Sequence, residues 1–251
     1  MLYRTLVLAT ALLVSTSLSA KLSEEETYSY TLSEGGSLSV SNVNGSITIT
    51  GGSGNSVEII AIKKADSQDV LDGIEIKISQ AGNEIVIETD LPDSGKWFNR
   101  GGNSGQVTYQ IITPAATNLN LIETVNGEVD ISGVSGNVVA ETVNGSLDLV
   151  DLAADASMET VNGSVNASFA ALAGKQNVKA ATVNGRITLV LPADADVDIN
   201  ADTLNGSINA RAFDLETEKG FVGSDLNGKI GNGSARLNLD TVNGSIKVLS
   251  Q

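Results

Sequence analysis

Apolar and polar residues alternate in short runs along most of this chain. "SLSVSNVNGSITIT" at 37–50, "GIEIKI" at 73–78, "EIVIET" at 84–89 and "VTYQII" at 107–112 each read as a strand with one buried face. From residue 123 the alternation is organised around a recurring motif: "ETVNGE" at 123–128, "ETVNGS" at 141–146 and 159–164, and "DTVNGS" at 240–245. No long segment shows the i, i+3, i+4 spacing of an amphipathic helix. The pattern is all-β.

Asn-Gly between apolar residues ordinarily marks a tight two-residue hairpin. Here a hairpin would pair Val143 with Ser146 and Thr142 with Leu147, which mixes polar and apolar side chains on both faces. If the strand instead continues through Asn-Gly with a bend, Val143, Gly145, Leu147 and Leu149 share an inward face. Thr142, Asn144, Ser146 and Asp148 then face water. This reading expects Val143→Asp to be far more damaging than Ser146→Asp. It also places a corner before each motif, because Val138 and Ala140 do not match the parity of Val143.

Aligned on asparagine, the copies stand at Asn44, Asn126, Asn144, Asn162, Asn184, Asn205, Asn227 and Asn243, each followed by glycine at Gly45, Gly127, Gly145, Gly163, Gly185, Gly206, Gly228 and Gly244. The position before Asn is always Val or Leu, and three residues after Asn comes Ile47, Val129, Leu147, Val165, Ile187, Ile208, Ile230 or Ile246. From Asn126 the intervals are 18, 18, 22, 21, 22 and 16 residues. Strand, corner, strand at such a period predicts a β-solenoid, similar to a right-handed parallel β-helix, with stacked coils of about 18–22 residues. At about 4.8 Å per rung, equivalent residues form columns, and a column of asparagines at the corner can hydrogen-bond along its length.

The organisation reads as a leader at 1–20, an irregular β region at 21–122 continuous with the solenoid, and the regular repeat at 123–251. The leader has Arg4, an apolar run from Leu6 to Val14 and small residues up to Ala20. That is the pattern of a secretory signal peptide, and the run is about half the length of a membrane span. A glycine-rich insertion at 91–106 interrupts the alternation and carries Trp97, Phe98 and Arg100, the candidate ligand contacts because aromatic faces stack on sugars or peptides.

Composition narrows the chemistry. The formal charge of −15 makes nucleic acid and anionic membranes poor partners. The chain has no histidine and no cysteine, which removes the commonest general base, thiol nucleophile and transition-metal ligands. Asp194, Asp196 and Asp198 match the first positions of a calcium loop, but Ile199 and Asn205 stand where such a loop needs Gly and Glu. "GGSGNSVEI" at 51–59 reads as a turn. Thr124, Thr142, Thr160, Thr182 and Thr203 are expected to face outward, an arrangement also met in ice-binding threonine arrays. No metal, cofactor or catalytic residue is expected.

The run "NVNGSITITG", the later "QIITPAATNLNLIETVNGEVDISGVSGNV" and the serial "TVNGS" copies resemble the bacterial putative-adhesin family of β-strand-repeat domains of unknown function. The resemblance implies a β-helix-like fold, export and no catalytic residues. It points to a non-enzymatic, adhesin-like envelope protein, periplasmic or at the cell surface; the short apolar run and the lack of cysteine depart from the best-known envelope members, and no stable membrane anchor is expected. Its expected partners are envelope polysaccharide or another envelope protein. The alternative on the same fold is a carbohydrate-binding or polysaccharide-degrading protein.

Overall fold

The computed structural model describes residues 21–92, 105–172, 174–219 and 223–251. Consecutive strands are not paired into hairpins across Asn-Gly. Val138–Asn144 pairs in parallel with Ala156–Asn162, and Leu147–Leu152 pairs in parallel with Val165–Phe169. Each coil, or rung, therefore contributes one strand to each of two facing sheets, and the corner between them is the Asn-Gly step. The chain is a β-solenoid.

Numbered along the axis, rung 1 is Glu84–Asp90 with Gln106–Pro114, and rung 2 is Ser37–Ser41 with Ile47–Gly52. Rung 3 is Asn118–Asn126 with Val129–Ser132, and rung 4 is Val138–Asn144 with Leu147–Leu152. Rung 5 is Ala156–Asn162 with Val165–Phe169, and rung 6 is Asn177–Asn184 with Ile187–Leu191. In rungs 7 and 8 a single long strand supplies both sheets, Ala235–Ser250 and Val197–Asn209 respectively.

Order along the axis departs from order along the chain at both ends. Rung 2 lies between rungs 1 and 3, both formed by later residues. The C-terminal strand slots between rung 6 and rung 8. Antiparallel strands then cover the exposed edges, which otherwise invite pairing with another chain. Glu75–Ala81 lies on rung 1, Ser56–Ala65 lies on its second strand and is followed outward by Leu22–Thr31, and Ser224–Ile230 lies on rung 8.

The core fills the space between the two sheets with stacked aliphatics. Ile47, Val129, Leu147, Val165, Ile187, Ile246 and Ile208 form one buried column; Ile49, Ile131, Leu149, Ala167, Leu189 and Val248 form the next. Each full aliphatic burial contributes on the order of 1.5–3 kcal/mol. The opposite strand supplies a column of mixed size, Ile122, Ala140, Met158, Ala180, Leu239 and Ala201.

At the corner the structure reverses the inward and outward assignment expected from alternation. Thr142 is 5 % exposed and Val143 is 40 % exposed. Val138, Ala140 and Thr142 continue one inward alternation to the end of their strand, and parity changes after Asn144, not before the motif. A threonine is tolerated inside because its hydroxyl has a partner: Thr124, Thr142, Thr160, Thr182, Thr241 and Thr203 each donate to the glycine carbonyl of the preceding rung at 2.9–3.3 Å. Asn42 stands at this position in rung 2 and donates to the Val107 carbonyl at 2.9 Å. The threonines therefore form no outward array.

The asparagine column does form. Asn126, Asn144, Asn162, Asn184, Asn243 and Asn205 each donate a side-chain N–H to the side-chain oxygen of the Asn one rung before, at 2.8–3.0 Å. Asn227 does not join it, because its strand runs antiparallel on rung 8 and pairs Asn227 with Asn200. Glycine follows each asparagine of the column because the backbones nearly touch. A Cβ added at Gly145, Gly163 or Gly185 would stand 1.8 Å from the carbonyl oxygen of the glycine one rung before.

Gly163→Ala is accordingly expected to lower stability by about 3 kcal/mol or more, since the clash is with backbone that two ladders hold in place. Gly54→Ala, where a Cβ meets nothing but φ is +93°, should cost less. Thermal melts of both variants check the order.

A second pair tests the reversed assignment. Thr160→Val should cost about 1 kcal/mol through the lost hydroxyl donor, and Val161→Asn should change stability by no more than about 0.5 kcal/mol. Denaturant midpoints read the difference, and a larger loss for Val161→Asn would put valine back inside.

Candidate binding groove

In the strand Val138–Asn144, as in its equivalents, the residues on either side of the buried threonine both point outward. Register then turns each position into a column. On one side run Val43, Val125, Val143, Val161, Val183, Val242 and Leu204, all partly exposed, in rungs 2 to 8. On the other side run Ser41, Glu123, Glu141, Glu159, Ala181, Asp240 and Asp202. Between them lies a groove of about 890 Å³, floored by Asn42 and the threonines. Six rung steps of about 4.8 Å give it a length of roughly 29 Å.

Both walls carry a cost. In-register valines support their strands by packing along the column, yet they leave apolar surface in water. Glu123, Glu141 and Glu159 are directly paired on successive rungs, as are Asp240 and Asp202, and like charges so placed repel. One cation relieves part of this: Lys179 pairs with Glu159 at 2.7 Å, and that hydrogen bond and charge hold the Lys179 ammonium above its ordinary range. Ser41 donates to Glu123 at 2.7 Å. Burial first, then the neighbouring Asp202, raise the Asp240 carboxyl above the usual range.

The other residues singled out from sequence do not assemble into a site. Trp97, Phe98 and Arg100 lie outside the described residues. Asp196 is a corner cap: it accepts from the Gly233 backbone and the Ser234 hydroxyl at 2.6 Å each, and the Ser234 bond leads the causes that lower its pKa. Asp198 lies 3.6 Å from Lys229. Among the described residues no group of three or more Asp or Glu is placed to hold a metal ion. At the N-terminal end Glu26 accepts from both Lys63 and Tyr28, a cluster that satisfies itself. Tyr109 is buried against Thr89 with its phenol pushed up to about 12, mainly by burial.

The groove was missed in the sequence because valine was assigned to the interior. The signal that finds it is parity: Val138, Ala140 and Thr142 are one inward series, so Glu141 and Val143 must share the outer face.

A parallel β-solenoid carrying columns of Asn, Gly and Thr at one corner defines the class of this protein. Residues 14–249 match the family model described as Toastrack DUF4097, and the chain belongs to that family. Among solved structures it is similar to a putative cell adhesion protein from Clostridium sporogenes, at 16% identity and a TM-score of 0.46, over 91% of this chain and 100% of that one. It is also similar to a putative adhesin from Bacteroides fragilis, at 13% identity and a TM-score of 0.33, over 90% and 97%. No curated protein matches.

The raised Asp240 carboxyl makes a pH prediction. A folded-state pKa above the unfolded value costs stability while the group is ionised, and the loss is regained as pH falls through the raised pKa. Asp240→Asn should therefore melt higher than the parent at about pH 7, and the difference should shrink toward about pH 4. A difference that grows on acidification would reverse the sign.

Proposed function

We propose that this chain is an exported, non-enzymatic envelope protein that binds a partner along the groove, in an adhesin-like role. The observation that carries the reading is the pair of outward columns, Val or Leu sustained over seven rungs with an acid beside it in five of them, where a repeat needs only its buried and corner positions for stability. Exposed apolar surface of this continuity marks an interaction site in soluble proteins. The leader-like pattern of residues 1–20 supports export. Among the described residues no helix is long and apolar enough to cross a membrane. The groove offers side-chain methyls and carboxylates, a chemistry of recognition.

The test combines location and binding. Cells making the full chain are fractionated and probed with antibody, and the purified protein is titrated onto isolated envelopes. The chain is expected in the envelope or periplasmic fraction, and Val143→Asn with Val161→Asn should weaken envelope binding at least tenfold with the melting temperature unchanged. Equal binding by the double variant removes the groove as the site, and retention in the cytoplasm removes the envelope role.

A further inference from the structure

We infer that the groove receives an amphipathic, cationic α-helix of about 20 residues belonging to a partner protein. The inference rests on the reading of the groove as a binding surface and names what fits it.

Length comes first. A groove of roughly 29 Å matches a helix of about 19–20 residues at 1.5 Å per residue. Spacing comes next. The apolar seam of a helix repeats every 3.5 residues, or about 5.2 Å, against about 4.8 Å per valine in the column. A tilt of roughly 20–25° removes that difference. An extended strand laid along the same line presents same-face side chains every 6.6–6.8 Å or so, and it would need a tilt of about 45°, which carries it out of the groove.

Backbone satisfaction decides the matter independently. The strands forming the groove already pair with the rungs above and below, and the threonine hydroxyls at its floor are spent on glycine carbonyls. An extended peptide crossing the rungs could offer its N–H groups to the wall carboxylates, but its C=O groups would be buried over a floor whose threonine hydroxyl hydrogens are already donated to glycine carbonyls. A helix satisfies its backbone internally and needs only the methyls and carboxylates the groove provides.

Charge fixes the sign of the partner and argues against self-association. Glu123, Glu141, Asp202 and Asp240 make no ion pair among the described residues, and together with Glu159 they line one flank from rung 3 to rung 8 apart from Ala181. A helix with Lys or Arg on one side of its apolar seam relieves the repulsion within this column. A second copy brings a chain of charge −15, and its helix among the described residues is the five-residue segment Gln68–Asp72.

The experiment uses the full chain and designed 21-residue peptides, followed by fluorescence anisotropy and circular dichroism. The lead peptide places Leu at the seam positions, Lys on one flank and Ala or Gln elsewhere. Its partners are a scrambled sequence, a Lys→Glu version, a version with two central prolines, and hexadecyltrimethylammonium as a cationic lipid-like probe. The lead peptide is expected to bind with a gain in helicity and at least tenfold more tightly than every control. Glu123→Lys with Glu141→Lys, and separately Val143→Asn with Val161→Asn, should each weaken it at least tenfold; the charge pair carries the test if the valine pair lowers the melting temperature. Equal binding of the proline peptide overturns the helix in favour of an extended segment. Tighter binding of the alkyl cation overturns it in favour of a lipid-like ligand, and equal binding of the scrambled peptide or no effect of either double variant overturns it altogether. If the peptides fail while the valine pair still abolishes envelope binding, the helix falls and the groove stands; if envelope binding ignores the valine pair, the groove reading falls as well.

Discussion

At the corners of rungs 3 to 8 one glycine's α-carbon approaches the carbonyl oxygen of the glycine one rung before so closely that a methyl group has no room. That contact sets the register of everything else. With the glycines superposed, each asparagine falls beneath an asparagine and each threonine beneath a threonine, and their side chains bond along the axis. The glycine carbonyl receives the threonine hydroxyl of the next rung, and the glycine N–H donates to the asparagine carbonyl there, as Gly145 does to Asn162 at 3.1 Å. Conformational freedom is secondary in most copies. Gly45 has φ of +119° and needs glycine for that reason too, whereas the remaining column glycines do not have positive φ.

A register this strict acts on exposed positions as firmly as on buried ones. It stacks the isoleucines and valines of the core into dry columns, and it equally stacks valine on valine and glutamate on glutamate at the surface. The first consequence stabilises the fold and the second does not. A solenoid selected for stability alone would set a cation in or beside the outer column at each step, as Lys179 is set beside Glu159 from the neighbouring column. The persistence of Glu123, Glu141 and Glu159 in sequence with outward valines is where local design and global stability disagree, and such disagreements belong to sites of interaction.

The all-β class, the stacked coil, the buried column three residues after asparagine and the asparagine ladder were legible in the chain. They follow from period and from residue types with one dominant use. The facing of Val143 and Thr142 was not legible from the motif by itself, because Val143, Gly145, Leu147 and Leu149 alternate without contradiction and threonine is usually outward. The series Val138, Ala140, Thr142 points the other way, and what settles between the two parities is a hydrogen-bond partner on another rung, the Gly127 carbonyl, which admits the Thr142 hydroxyl to the interior. The eighth copy at Asn227 was misplaced for a related reason: its motif is intact, yet its strand caps rung 8 in the antiparallel sense, a matter of topology beyond the reach of a repeat count.

Topology also ties the groove to completion of the fold. Rungs 6 and 8 are formed by residues 177–209, and their registers are mutually compatible, Thr182 and Thr203 both aligning with Thr241. The strand that separates them, Ala235–Ser250, follows both in the chain and brings Asp240 and Val242 into the gap. Until it inserts, the valine column lacks a member between Val183 and Leu204 and the acidic column lacks one beside Asp202. The full-length groove thus exists only when the C-terminal strand is in place, so the repeat that builds the wall and the strand that closes the solenoid are the same structural event.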